Sequence, residues 1–533
     1  MMKTPLTLRP MFEYATTYFP DQQIVARQAD GLTRRSYRDT GRRVRQLASA
    51  LAALGVTAGD RVGTFLWNDA AHLEAYFAIP SLGAVLHTIN LRLPADHLAY
   101  VINHAADRVL IVDRALWPVL APLRASLSTV RAIILTGTGY VGEPDPPGTL
   151  DYDTLLAQGD PAFAWAELEE DQPLGLCYTS ATTGYPKGVL YSHRGIYLHS
   201  LGLGLANTFG ISADDTVLPI VPMFHANAWG LPFAAFWFGA KIVLPGPAPR
   251  PAVLLDLLRD EQVTVAIGVP TVWLALAQEL ERRPAPLALR AAICGGAAAP
   301  PALIRRYEKI FHIPFLHGYG MTETSPVATV ARLKPSHRDL SEEAQLRVKA
   351  SQGMPLPGLT VRLEREGRDV PWDGEAVGEL CIQGPWIADA YEGDARTAET
   401  FRDGWLHTGD VATIDSEGYV RLVDRTKDVI KSGGEWISSV DLENALMAHP
   451  AVLEAAVVGI PHPRWGERPL AFVVVKEGMA VTKEELLAAL GPQFARWQWP
   501  DDVIWVAEVP KTSVGKFLKR ALREQYQDYF APR

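Results

Sequence analysis

The segment Tyr178 to Gly188 (YTSATTGYPKG) gathers groups that can hold an anion. Thr179, Ser180, Thr182 and Thr183 supply hydroxyls, and Lys187 supplies positive charge. Gly184 and Gly188 let the backbone turn tightly, so hydroxyls and N–H groups can converge on phosphate oxygens. The spacing is not G-x-x-x-x-G-K-[ST], so the segment is no Walker-type loop. Taken alone, it also reads as a polar surface loop.

Three further segments carry reactive types. In His317 to Pro326 (HGYGMTETSP), Gly318 and Gly320 permit close backbone approach, and Tyr319 between them offers a flat face to a base. Glu323 is a hard oxygen ligand suited to Mg²⁺, beside the Thr322 hydroxyl. The plainer reading is a strand-to-helix turn capped by Thr322 or Thr324. In Gly404 to Asp410 (GWLHTGD), Asp410 can accept both hydroxyls of a ribose, or serve simply as a turn residue. In Pro510 to Lys516 (PKTSVGK), a glycine-containing turn can hold Lys516 toward a negative reaction centre, although a lone lysine is usually solvated.

These segments need a scaffold, and the sequence describes one. Strand-length apolar runs (Arg61–Leu66, Arg108–Val112, Ala132–Leu135, Lys241–Leu244, Val263–Ile267, Ala291–Cys294) alternate with helix-period stretches such as Arg45–Leu54 and Leu73–Ile79, the second ending at Pro80. Such alternation predicts α/β layers with largely parallel sheets. From about 357 to 424 the texture turns glycine-rich and alternating, which predicts a β-rich subdomain. Residues 425–533 mix strands with amphipathic helices. The expected organisation is a large N-terminal domain of layered α/β sheets over 1–424 and a small mobile α+β domain over 425–533. The charged segment Asp424 to Asp428 suits a hinge at Asp424.

Composition narrows the function. Among 533 residues, 48% are hydrophobic and 21% charged, as in an ordinary globular protein. The balance of 51 basic and 60 acidic residues leaves −9, a poor footprint for nucleic acid. Three cysteines, Cys177, Cys294 and Cys381, form no disulfide framework or metal spacing and read as small buried residues of a reducing compartment. The first twenty residues lack an apolar signal core, and the apolar stretch Val263–Ala277 is broken by Gly268 and Pro270. A cytoplasmic protein without an integral membrane segment is expected.

Taken together and in this order, the four segments resemble those of the AMP-forming acyl-CoA synthetases of the adenylate-forming superfamily, over about residues 30–525. The likeness is nearest to bacterial long- or medium-chain fatty-acyl-CoA synthetases. It rests on Val221–Ala235 (VPMFHANAWGLPFAA), Lys431–Leu446 (KSGGEWISSVDLENAL) and Lys516–Arg523 (KFLKRALR). It implies that Thr179, Ser180, Thr182, Thr183, Gly184 and Lys187 lie on the β- and γ-phosphates of ATP, with Thr179 also near Mg²⁺. Where the family usually has glycine, this chain has Ala181. Gly295, Gly296 and Ala297 match an adenine-side loop, and His317, Gly318, Tyr319 and Gly320 run along the nucleotide. Thr322 matches an α-phosphate contact, Glu323 the Mg²⁺ ligand, and Asp410 and Arg425 ribose contacts. His225 matches a residue near the substrate carboxylate, and Trp229 a gate to the acyl tunnel, with core packing as the plainer reading. Lys427, Lys431 and Trp436 flank the hinge, Gly433 and Gly434 match a pantetheine-lining loop, and Lys516 matches the catalytic lysine of adenylation.

The implied activity is ATP-dependent ligation of a fatty acid to coenzyme A, using ATP, Mg²⁺ and coenzyme A, by a homodimer. The stretch Met223–Phe238 is apolar and aromatic and holds no aspartate or glutamate, which argues against an amino-acid substrate. An alkyl tail gains about 0.8 kcal/mol per buried CH₂ in such a lining. The alternatives are a CoA ligase for aryl or short branched acids, transfer to a carrier protein, and a non-catalytic nucleotide-binding relative.

Overall fold

The computed structural model describes residues 2–137, 145–179, 185–425, 428–433, 435–491, 493–511 and 517–531, with Trp436 described by its backbone alone. Two sheets organise the chain as far as Pro355. In the nine-stranded sheet, Gln23–Gln28, Lys241–Leu244, Thr216–Pro219, Val265–Gly268, Ala291–Cys294 and Phe315–Gly320 run parallel. Gly31–Ser36, Val327–Val330 and Met354–Pro355 add antiparallel edges. In the seven-stranded sheet, only Pro173–Tyr178 and Gly188–Ser192 pair antiparallel. The central strands are apolar throughout because helices cover both of their faces. Val265–Gly268 and Ala291–Cys294, for example, are buried at every residue.

The largest apolar cluster lies between the two sheets and is filled by Leu8–Tyr18, Tyr37–Ala53, Ala70–Ser81, His193–Gly204 and Leu231–Trp237. Each leucine buried there contributes about 1.5–3 kcal/mol. Tyr37–Ala53 begins well before the expected Arg45. Ser36 caps it by accepting the Asp39 N–H, and Tyr37, Thr40, Val44, Leu47 and Leu51 form its buried stripe. Ala70–Ser81 also departs from expectation by running through Pro80. The hydrogen bond that proline removes falls in the last turn, and the whole helix is buried, so packing holds that turn in place.

A six-stranded antiparallel sheet follows, built mainly from Thr360–Arg365, Gly378–Gln383, Trp405–Ile414 and Val420–Arg425. The remaining chain forms a five-stranded sheet around Val452–His462 and Gly466–Val475. Ser439–Met447 and Lys483–Leu490 pack on one face of it and Lys519–Gln525 on the other. All three cysteines are buried and unbridged. Among the described residues, no helix is long and apolar enough to cross a membrane.

Candidate active site

A cavity of about 390 Å³ opens at the carboxyl ends of the neighbouring parallel strands Ala291–Cys294 and Phe315–Gly320. Strand carboxyl ends are where layered α/β sheets bind ligands. Of the expected residues, Thr179, Lys187, His225, Trp229, Gly295, Gly296, Gly318, Tyr319, Gly320, Thr322, Glu323, Asp410 and Arg425 all line it. Ala297 and His317 line an adjoining cavity of similar size, which extends to the last domain. Lys431 and Gly433 line neither. Ser180, Ala181, Thr182, Thr183, Gly184, Lys427, Gly434 and Lys516 lie outside the described residues, as does the Trp436 side chain.

The neck of the phosphate-type segment is a hairpin in which Tyr178 faces Gly188. Thr179 N–H donates to Lys187 O (2.9 Å), and Lys187 N–H donates to Thr179 Oγ1 (3.1 Å). The helix Ala95–His104 grips both sides of the neck. Tyr100 stacks on Tyr185 at 4.3 Å, and His104 Nδ1 lies 2.7 Å from Tyr178 Oη. Lys187 Nζ donates to Tyr391 Oη (2.7 Å) and lies 3.9 Å above that ring. Tyr391 in turn donates to Glu323 Oε1 (2.5 Å), which is 3.9 Å from Lys187 Nζ. Burial lowers the Lys187 pKa against the pull of Glu323, while burial and the Glu323 charge raise that of Tyr391. Sequence reasoning missed Tyr391 and Arg396, another cavity residue. The only signal was an aromatic and a cation within a loop of small and acidic residues.

Glu323 is 3% exposed and faces the cavity. Among the described side chains, those of Tyr391 and Lys187 engage its carboxylate, both at Oε1. A carboxylate with the hydroxyls of Thr179 and Thr322 in the same cavity lining is a hard-oxygen donor set, and it fits Mg²⁺.

Elsewhere on the lining, Tyr319 Oη donates to Asp410 Oδ2 (2.6 Å), and Arg425 Nε lies 3.4 Å from Oδ1. Asp410 and Arg425 are cross-strand partners. Burial, then the Asp410 charge, push the Tyr319 hydroxyl up, so it stays a donor. The backbone between His225 and Gly230 is unusual. Ala226, Asn227, Ala228 and Trp229 have φ of 42°, 51°, 47° and 58°, one turn of left-handed helix. Each non-glycine residue in that region costs roughly 1–2 kcal/mol. Buried Asn227 helps hold the turn, with its Oδ1 accepting from Cys177 Sγ (2.8 Å). The turn lays the Trp229 indole against Gly295, where a Cβ would come within 3.0 Å of the ring and 2.9 Å of Gly318 O. Trp229 is therefore half-buried: it lines the cavity and also packs against the main core cluster.

Asp424 belongs to the strand Val420–Arg425, and its carboxylate faces the last domain. Oδ2 accepts from the Ser439 N–H (2.9 Å) and from the Ser439 hydroxyl. Lys519 Nζ donates to Ser439 Oγ (2.6 Å) and lies 2.8 Å from Glu443 Oε1. Burial raises the Asp424 pKa against Lys519, and raises that of Glu443 to about 7. Burial also opposes the Lys519 charge, but Glu443 and Asp424 carry its pKa above the usual value, so the ammonium persists and the carboxyls titrate.

The AMP-binding enzyme family model matches residues 12–392, and the AMP-binding enzyme C-terminal domain model matches residues 441–516. The chain is 49% identical to a long-chain-fatty-acid–CoA ligase of Thermus thermophilus, over 99% of this chain and 97% of that protein. It is 42% identical to a medium-chain-fatty-acid–CoA ligase of Ectopseudomonas oleovorans, over 99% and 97%. Its fold is similar to that of an anthranilate CoA ligase solved with anthranoyl-AMP, with a TM-score of 0.89 and 25% identity over 100% of this chain and 99% of that one.

Proposed function

Because the chain belongs to the AMP-binding enzyme family, we propose that it activates a medium- or long-chain fatty acid with ATP and transfers the acyl group to coenzyme A. The observation that carries this reading is the mixed lining of the cavity. It combines Lys187, Thr322, Glu323, Asp410 and Arg425 with the apolar Phe209, Trp229, Ile293, Pro326 and Val327. A charged head and an uncharged tail suit such a lining.

In the first step a carboxylate oxygen attacks the α-phosphorus of ATP, an acyl-AMP anhydride forms, and pyrophosphate leaves. Two anions must approach, so fixed positive charge is needed before the transition state. Lys187 and the phosphate-segment hydroxyls hold the outer phosphates, and Lys516 supplies charge at the reacting phosphoryl group. When bound, Mg²⁺ neutralises phosphate charge; Glu323, Thr179 and Thr322 are the residues to hold it. Tyr319 covers the adenine, Asp410 and Arg425 take the ribose, and His225 meets the acid. In the second step the thiol sulfur of coenzyme A attacks the acyl carbon and AMP leaves, a step that needs positioning more than proton transfer. Rotation about Asp424 exchanges Lys516 for the Lys431–Gly434 face, with Lys427 and Trp436 closing over the adenylate.

An aryl acid is the second reading. It is favoured by the aromatic Phe209 in the cavity lining and by the likeness to the anthranilate ligase. Pyrophosphate release with ATP, Mg²⁺ and acids from acetate to stearate and benzoate separates the two. A maximum at medium or long straight chains, with acyl-CoA formed in the absence of any carrier protein, is expected. A maximum at benzoate or acetate overturns the fatty-acid reading, and no release with any acid overturns the ligase reading itself.

A further inference from the structure

The strand Trp405–Ile414 leaves its partner just before the cavity. Cys381 faces His407 and Glu379 faces Val411, so Thr408, Gly409 and Asp410 bulge opposite Leu380 alone. Bulges beside active sites re-aim side chains, and this one brings Asp410 to the cavity wall. A bulge breaks the ladder, so its main-chain groups need other partners. The Asp410 N–H donates to Thr408 Oγ1 (3.1 Å), and that hydroxyl donates to Leu380 O (2.7 Å). Gly409 takes φ +70°, and its N–H donates to Glu379 Oε1 (3.0 Å). The other Glu379 oxygen lies 3.1 Å from His407 Nδ1 and 3.6 Å from the Arg402 guanidinium. Glu379, His407 and Arg402 do not line the cavity.

We propose that Glu379 is a positioning residue: its carboxylate clamps the Gly409 N–H and thereby fixes the bulge that aims Asp410 at the ribose hydroxyls. One oxygen reaches the bulge and the other is held by His407 and Arg402, so the clamp is anchored by residues outside the cavity lining. Its hydrogen bond is charge-assisted, the stronger kind. The inference rests on Asp410 as the ribose residue.

The test compares ATP with 2′,3′-dideoxy-ATP on the full chain, read as the nucleotide KM for pyrophosphate release. The wild-type protein is expected to show a KM at least about tenfold higher for the dideoxy nucleotide, which Asp410 cannot hold. Glu379→Ala is expected to raise the KM for ATP about tenfold and leave that for the dideoxy nucleotide unchanged, since the lost bond acts only through the ribose contact. Glu379→Gln retains an acceptor for Gly409 and is expected to stay within about twofold of wild type. Should Glu379→Ala not fold, Glu379→Thr carries the same expectation, because it suits a strand but cannot reach Gly409. Equal increases for both nucleotides, or no increase for either, overturn the clamp. If the wild-type protein treats the two nucleotides alike, the ribose reading of Asp410 falls, and the clamp with it.

Discussion

Two buried aspartates on adjacent strands serve different bodies of the molecule. Asp410 lies opposite Arg425, and Asp424, one residue back, lies opposite Val411. Burial does not separate them, at 6% and 4% exposed; their partners do. Asp410 is held by Tyr319 and Arg425, from strands of the nine- and six-stranded sheets. Asp424 is bonded to Ser439, which Lys519 braces, and both belong to the last domain. The first arrangement holds a carboxylate fixed on the cavity lining. The second ties its strand to the last domain, beside the Arg421–Asp441 ion pair (2.8 Å) and the Ser438 hydroxyl on Val423 O (2.6 Å), and is set in a cluster of two carboxyls and one ammonium.

The difference is sharpest at Lys519. Lys519→Met leaves Glu443 and Asp424 buried without the ammonium that faces them, and removing one partner of a buried ion pair costs about 3–5 kcal/mol. Hydrogen exchange across Ser439–Met447 is expected to accelerate strongly while Ala291–Cys294 keeps its protection. Equal protection of both segments would show that the tie does not depend on this charge.

A smaller effect is expected with pH. Glu443 has a folded pKa of about 7 against an ordinary 4.5. Between those values the folded protein keeps a proton that the unfolded chain has lost, so the stability of the last domain falls as pH rises through the window, by roughly 1–3 kcal/mol. Asp424, raised by burial, slopes the same way, whereas the raised Lys519 loses its contribution only above 10.5. Chemical denaturation at several pH values measures the slope, and Glu443→Gln is expected to flatten it.

The smallest expected change is at the cavity wall. Ala228→Gly relieves one left-handed residue and is expected to stabilise the large domain by about 1 kcal/mol, read as a higher thermal midpoint. A lower midpoint would mean that the turn is not strained.

The apolar strand runs were legible because each is a local pattern, and so was the meeting of Thr179, Lys187, Tyr319, Glu323 and Asp410 around one cavity. Ala291–Cys294 and Lys241–Leu244 appear at the expected residues. The left-handed turn at Ala226–Trp229 was not legible, because glycine, the usual signal for positive φ, appears only after it, at Gly230. Lys519 stands in a basic run with no local sign of burial, yet its side chain is only 12% exposed, because carboxyls distant in sequence converge on it. Tyr391 and Glu379 escaped notice for the same reason: each matters through a partner on another strand or loop.

The buried cysteines bear on side reactions. Burial pushes the Cys177 thiol up to about 11 and Cys381 to about 12, the latter with help from Glu379, and raises Cys294 well above its ordinary value. Thiolates, not thiols, attack activated acyl groups. None of the three cysteines lines the cavity, so on the proposed function an acyl anhydride made there would face no cysteine of the chain itself, and the protein would be spared self-acylation until an incoming thiol arrives.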